Sequence, residues 1–104
     1  MMFEYIQTWI VREGFEETHD ELLRGWLLRA GENPLLRFIR FPPSPRALPR
    51  KRILVYGFDS VEDWRAFREE TMSDWRIFVK LWLPLIYFNT YRIYFWSKGE
   101  YFGE

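Results

Sequence analysis

No cysteine occurs in the 104 residues, so the chain has no disulfide framework, no thiol nucleophile and no thiolate metal site. The single histidine, His19, rules out a multi-histidine metal centre within one subunit. Walker, dinucleotide-binding, nucleophile-elbow and zinc signatures are missing as well, so neither a metal nor any other cofactor is expected. Long apolar runs are scarce. The most apolar segment, 77–88, contains Lys80 and Pro84 and is about half of the ~20 residues that a membrane-spanning helix needs. The start, Met1-Met2-Phe3-Glu4-Tyr5, has no basic and apolar leader pattern. No membrane partner is expected, and a cytoplasmic location is.

Net charge is also lacking, because 15 Lys and Arg balance 15 Asp and Glu. Without a broad basic field there is little to gather phosphates, and no nucleic-acid partner is expected. The balance is nevertheless uneven along the chain. From Arg37 to Arg52 there are six basic residues and no acid, which leaves 9 basic against 15 acidic elsewhere, a net of −6. Pro42, Pro43, Pro45 and Pro49 fall in the same stretch. Proline removes ladder donors and holds an extended backbone, so 42–52 reads as a solvated loop. Twelve Arg against three Lys, with one Gln and two Asn, fit a thermophilic source, since amide side chains are thermolabile.

Aromatic residues are abundant, at 21% with 6 Trp, 6 Tyr and 10 Phe. That exceeds what the interior of one small domain spanning 1–104 requires, so some rings are expected to line a cavity or an interface. Phe3 to Arg12 alternates as a strand, with Phe3, Tyr5, Gln7, Trp9 and Val11 on one face and Glu4, Ile6, Thr8 and Ile10 on the other. Phe15, His19, Leu22, Leu23, Trp26, Leu27 and Ala30 then recur at helical spacing, and Gly31 with Asn33-Pro34 stops the helix. Strands follow at 35–41 and 53–58. Ser60 caps a helix whose buried stripe is Val61, Trp64, Phe67 and Thr71, and Ser73 reads as the cap of a further helix ending at Pro84. The last strand, 86–96, sets Arg92, Tyr94 and Trp96 against Tyr91, Ile93 and Phe95, and the aromatic tail around Tyr101 and Phe102 is expected to dock.

Strand, helix, strand, strand, helix, strand is the βαββαβ order of a ferredoxin-like α+β domain: a four-stranded antiparallel sheet with helices on one face. Because both sheet faces carry apolar groups, the uncovered face predicts a homodimer. An RNA-binding reading of the same topology needs a third strand with a basic residue, glycine and alternating exposed aromatics. Arg52-Ile53-Leu54-Val55-Tyr56-Gly57-Phe58 holds these in another order. The acylphosphatase reading fails for want of a glycine-rich first loop.

Two stretches carry a family resemblance. Val11-Arg12-Glu13-Gly14-Phe15 after the first strand, and Phe58-Asp59-Ser60-Val61-Glu62-Asp63-Trp64 with Phe67-Arg68 and Ser73-Asp74-Trp75, resemble the turn and second-helix regions of NIPSNAP-like proteins in the dimeric α/β barrel superfamily. The resemblance implies a ferredoxin-like subunit whose sheet packs on a partner's, with a cavity beside the sheet. Its relatives include cofactor-free monooxygenases, heme-binding and heme-degrading enzymes and lactone isomerases. Where such chains often carry a basic residue and a Tyr in the first strand, this one has Gln7 and Trp9.

Gln7, Trp9, Tyr56, Arg92 and Tyr94 are polar or amphipathic groups on strands where a plain core would use Val, Ile or Leu, which suits packing at an interface and also makes them candidate ligand contacts. Tyr56 and Arg92, together with His19 as a proton carrier, are the candidate catalytic groups. His19 also suits a packed imidazole in the helix stripe. The acids Glu13, Glu16, Glu17, Asp20 and Glu21 read as a solvated first turn. Two functions remain: conversion of a small hydrophobic or aromatic molecule by oxygenase or isomerase-like chemistry, or a non-catalytic dimeric module.

Overall fold

The computed structural model describes residues 2–97 and 100–103. Strand β1 spans Phe3–Val11, helix α1 Glu16–Gly31, β2 Phe38–Arg40, β3 Lys51–Phe58, α2 Val61–Trp82, β4 Ile86–Ser97 and β5 Glu100–Gly103, with a 3-10 turn at Leu83–Leu85 before β4. The sheet order is β2-β3-β1-β4-β5, antiparallel at every pairing. The βαββαβ order with two helices is the expected ferredoxin-like α+β fold. The tail extends it as a fifth strand on β4, although the side chains of Tyr101 and Phe102 lie outside the described residues.

The alternation in β1 sets the two faces. Phe3, Gln7, Trp9 and Val11 are buried beneath the helices. Ile6 sits opposite Val55 and Tyr94 on the other face, and Thr8 opposite Ile53 and Arg92. Gly14, at φ 88, makes the turn out of β1, a left-handed conformation that a side chain would disfavour. Phe15 then precedes the first helical residue rather than joining the buried stripe, and it is exposed. With no side-chain cap on α1, Glu16 and Glu17 in its first turn are left to complement the helix dipole.

Two expectations are corrected. The segment after Phe58 is one helix, not two. Ser60 caps it, accepting from the Asp63 N–H at 3.1 Å, but Ser73 is an exposed interior residue of α2. Nothing between Thr71 and Asp74 breaks the helix. The Thr71 hydroxyl bonds back to the Phe67 carbonyl at 2.8 Å, and Phe67, Thr71, Phe78 and Trp82 form one continuous buried stripe. The second strand is also shorter than 35–41, because Asn33 holds a turn through its Oδ1 to the Leu35 N–H at 2.9 Å. On β2, Phe38 lies across Gly57, where a Cβ would collide with the ring.

The core between sheet and helices is aromatic. Trp82 meets Trp9 edge-on at 5.1 Å and Phe78 at 5.6 Å, and Phe3, Tyr5, Trp64 and Phe95 form a second cluster with centroids 5.1 to 5.7 Å apart. Arg52, read from the sequence as part of a solvated loop, is buried on the helix side of β3. Its guanidinium donates to both carboxylate oxygens of Asp20 (2.8 and 3.1 Å), to Ser44 Oγ (2.9 Å) and to the Pro49 carbonyl (2.8 Å). One side chain thereby ties the proline-rich segment to α1.

Candidate functional site

A cavity of about 240 Å³ lies between the inner sheet face and the two helices. Tyr5 and Gln7 reach it from β1, Tyr56 from β3, Tyr91 and Ile93 from β4, Trp26 from α1, and Trp64, Phe67, Arg68, Thr71, Met72 and Trp75 from α2. The five described strand residues in this wall, Tyr91 included, come from the inward parity of their strands. Next to Tyr91 the register of β4 changes. Between the pairs Thr8↔Arg92 and Ile10↔Tyr87, residues 88–91 of β4 stand against Trp9 alone. The bulge is held by Thr90, whose Oγ1 accepts the Ile10 N–H at 2.9 Å and donates to the Tyr87 carbonyl at 2.5 Å.

Gln7 is the hub of the polar part. Its Oε1 accepts from the Tyr56 hydroxyl at 2.8 Å, and its Nε2 donates to the Tyr91 hydroxyl at 2.7 Å and, at 3.5 Å, to that of Tyr5. Tyr56 in turn accepts from Trp26 Nε1 at 2.8 Å. Burial drives the Tyr5 and Tyr56 hydroxyls well above the ordinary tyrosine range. Both phenols therefore stay protonated and serve as neutral donors and acceptors.

Of the residues singled out in the sequence, Gln7 and Tyr56 meet in the cavity. Trp9 and His19 do not line it. They pack beside it, with Trp9 Nε1 and Trp82 Nε1 both donating to His19 Nε2, at 2.8 and 3.2 Å. His19 Nδ1 lies 2.9 Å from Asp20 Oδ1, and since Nε2 accepts, Nδ1 carries the proton. Burial lowers the His19 pKa, with Asp20 opposing the shift. With both nitrogens engaged in a fully buried ring, His19 pins α1 to β1 and α2 and has no open position for a substrate proton. Arg92 and Tyr94 are on the opposite sheet face, across from Thr8 and Ile6. The Arg92 guanidinium donates to the carbonyls of Asn89 and Tyr91, at 2.9 and 2.8 Å. The sequence grouping fails for these two because the extended backbone turns residues 92 and 94 away from 91 and 93. Tyr5, Tyr91, Trp26 and Arg68 were missed. Tyr5 shares the parity of Gln7 and Tyr91 that of Ile93, so both were within reach of the same reasoning, whereas Trp26 and Arg68 reach the cavity through helix packing.

Among the described residues no helix is long and apolar enough to cross a membrane, and no group of three or more His, Cys, Asp or Glu gathers as a metal site. No protein-family model matches the chain, and no curated protein is significantly similar to it in sequence. Solved structures do match in shape. A NIPSNAP family protein from Agrobacterium tumefaciens superposes with a TM-score of 0.74 at 17% identity, covering 93% of this chain and 92% of the other. A point variant of SnoaB, a cofactor-independent oxygenase from Streptomyces nogalater, gives 0.77 at 7% identity over 95% and 94%. An antibiotic biosynthesis monooxygenase gives 0.77 at 8% identity over 91% and 96%. This chain has the fold shared by those proteins. The resemblance seen in the two sequence stretches thus extends to the whole backbone, while identities this low speak for fold alone.

Proposed function

We propose that the chain binds a small aromatic molecule in the cavity and converts it by oxygenase or isomerase-like chemistry. The observation that carries this reading is the buried Gln7 amide and its tyrosine hydroxyls inside a cavity otherwise walled by rings. A purely structural core would avoid the cost of desolvating those groups. The rings offer stacking surfaces to a flat ligand, and the hydroxyls offer oriented donors. Protonated phenols aimed at a ligand oxygen stabilise negative charge as it develops there. The oxygenase and monooxygenase named among the structures of like fold support the oxygenase form of the proposal.

The test is a screen of phenols and fused-ring aromatics by quenching of tryptophan fluorescence, followed by oxygen-electrode and NMR assays of each binder. Binding that disappears in Thr71→Trp, which fills the cavity, with oxygen uptake or isomerisation of a bound compound, is the expected result. Binding that survives the filled cavity would sink the proposal.

The open sheet face favours a second, compatible reading, that the chain forms a homodimer through that face. Ile10, Ile53, Val55 and Tyr94 lie on it half-buried or exposed, and pairing with a second copy hides such a surface. If binding fails, the dimer stands as a non-catalytic module. Light scattering during size exclusion checks it, and a monomer at all attainable concentrations would refute it.

A further inference from the structure

We infer that the ligand carries an anionic oxygen, a carboxylate or a phenolate, at one end, and that Arg68 at the cavity mouth selects for it. This deepens the cavity-binding reading above and rests on it.

Among the described residues Arg68 is the one charged side chain in the cavity wall. It follows Trp64 by one helical turn, which puts the two on the same face of α2. The Arg68 Cζ stands 5.7 Å from the centroid of the Trp64 ring. That ring is itself held against Phe3, Tyr5 and Phe95. Contact with an aromatic face orients a guanidinium without using up its N–H donors. No described residue pairs with those donors. By contrast, Arg29, Arg37 and Arg52 each hold an aspartate.

No described residue of the cavity wall neutralises this charge. Among the described residues the cavity wall contains no carboxylate, and its Tyr5 and Tyr56 phenols are held protonated by burial. The positive charge bears on the Tyr5 hydroxyl, opposing part of the rise that burial causes. The cavity therefore has two unlike ends. Neutral donors and acceptors surround the buried Gln7, and an unneutralised cation stands at the exposed rim. An elongated aromatic with a neutral oxygen inward and an anionic oxygen outward satisfies both ends. At about 240 Å³ the space is below the usual range for drug-sized ligands, which suits two or three fused rings. An isolated ion pair on a protein surface contributes little. Here the ring of Trp64 shields one side of the pair, and a guanidinium grips a carboxylate through two parallel bonds. A ligand that arrives ionised also needs no protein base, and among the described residues the wall provides no carboxylate or imidazole to act as one.

The test compares 2-naphthoate with 2-naphthamide, its uncharged near-isostere, by isothermal titration calorimetry on the full chain and on Arg68→Gln. Naphthoate is expected to bind the unmodified protein about tenfold more tightly than the amide, the scale of one charge-assisted contact. Arg68→Gln is expected to remove that preference and leave amide binding unchanged, which also shows that the variant is folded. Added salt should weaken naphthoate alone. Titrating 2-naphthol through its own ionisation separates the two anionic groups, because tighter binding of the ionised form admits a phenolate. Equal binding of acid and amide, or equal losses in the variant, would overturn selection by Arg68 and leave the cavity reading standing. If neither probe binds, both fall.

Discussion

The Tyr56 hydroxyl donates to Gln7 Oε1 at 2.8 Å across 49 positions of sequence, and with Trp26 donating to Tyr56 and Gln7 to Tyr91 this bond joins α1, β3, β1 and β4 in one network. Replacing Gln7 by Leu leaves the Tyr56 and Tyr91 hydroxyls without the amide they now share. Stranding the proton of the buried Tyr56 hydroxyl in this way costs about 1 to 3 kcal/mol, so Gln7→Leu should lower the urea midpoint clearly while retaining the fold. It should also abolish binding of any aromatic ligand that reaches the inner end of the cavity. An unchanged midpoint would show that solvent already satisfies these groups.

Acid should weaken the fold in two stages. The His19 pKa is depressed in the folded state, first by burial. Below the ordinary histidine range the unfolded chain therefore takes up a proton that the native ring refuses. The contribution of His19 is complete above the unfolded value of 6.5 and is lost as pH falls from there towards the folded value. Burial alone would raise the Asp20 pKa, but its bonds to Arg52 and His19 outweigh burial and hold it below 3.8. Its contribution is present above 3.8 and is lost as pH falls through the depressed folded value. Thermal melts between pH 8 and pH 5 should show the first loss, and His19→Phe should flatten it. A wild-type melting temperature independent of pH over that interval would contradict the neutral, enclosed imidazole.

The two serines of α2 should behave oppositely. Ser60 bonds the Asp63 N–H, so Ser60→Ala should cost about 1 kcal/mol. Ser73 lies exposed in mid-helix, and Ser73→Ala should be neutral or stabilise by about 0.5 kcal/mol, the difference in helix propensity. Denaturant midpoints of the two variants measure this directly. A large loss at Ser73 would mean that the helix breaks there.

Arg92→Leu should leave cavity binding untouched, because Arg92 sits on the outer sheet face with its guanidinium on the carbonyls of Asn89 and Tyr91. The same probes titrated against this variant check it. Loss of binding would require the bulge at 88–91 to depend on those bonds and to carry Tyr91 with it.

The order of elements was legible in the sequence because it rests on local rules. Alternation in Phe3–Val11, the Ser60 cap and the stops at Asn33-Pro34 and Pro84 each act over a few residues. The polarity of Gln7 on a buried face was legible for the same reason, and it marked the cavity. What alternation leaves open is which residues from different strands meet. Arg92 and Tyr94 were grouped with Gln7 and Tyr56, yet one residue of offset in β4 sends them to the other face, and their neighbours Tyr91 and Ile93 face the cavity instead. The burial of Arg52 and the enclosure of His19 between two indoles likewise depend on groups far apart in the chain. Local sequence determines which segments become strands and helices, since backbone propensity and caps are short-range. The composition of the cavity was decided by strand register and helix packing, because only these set which distant side chains share a space and which polar groups find partners there.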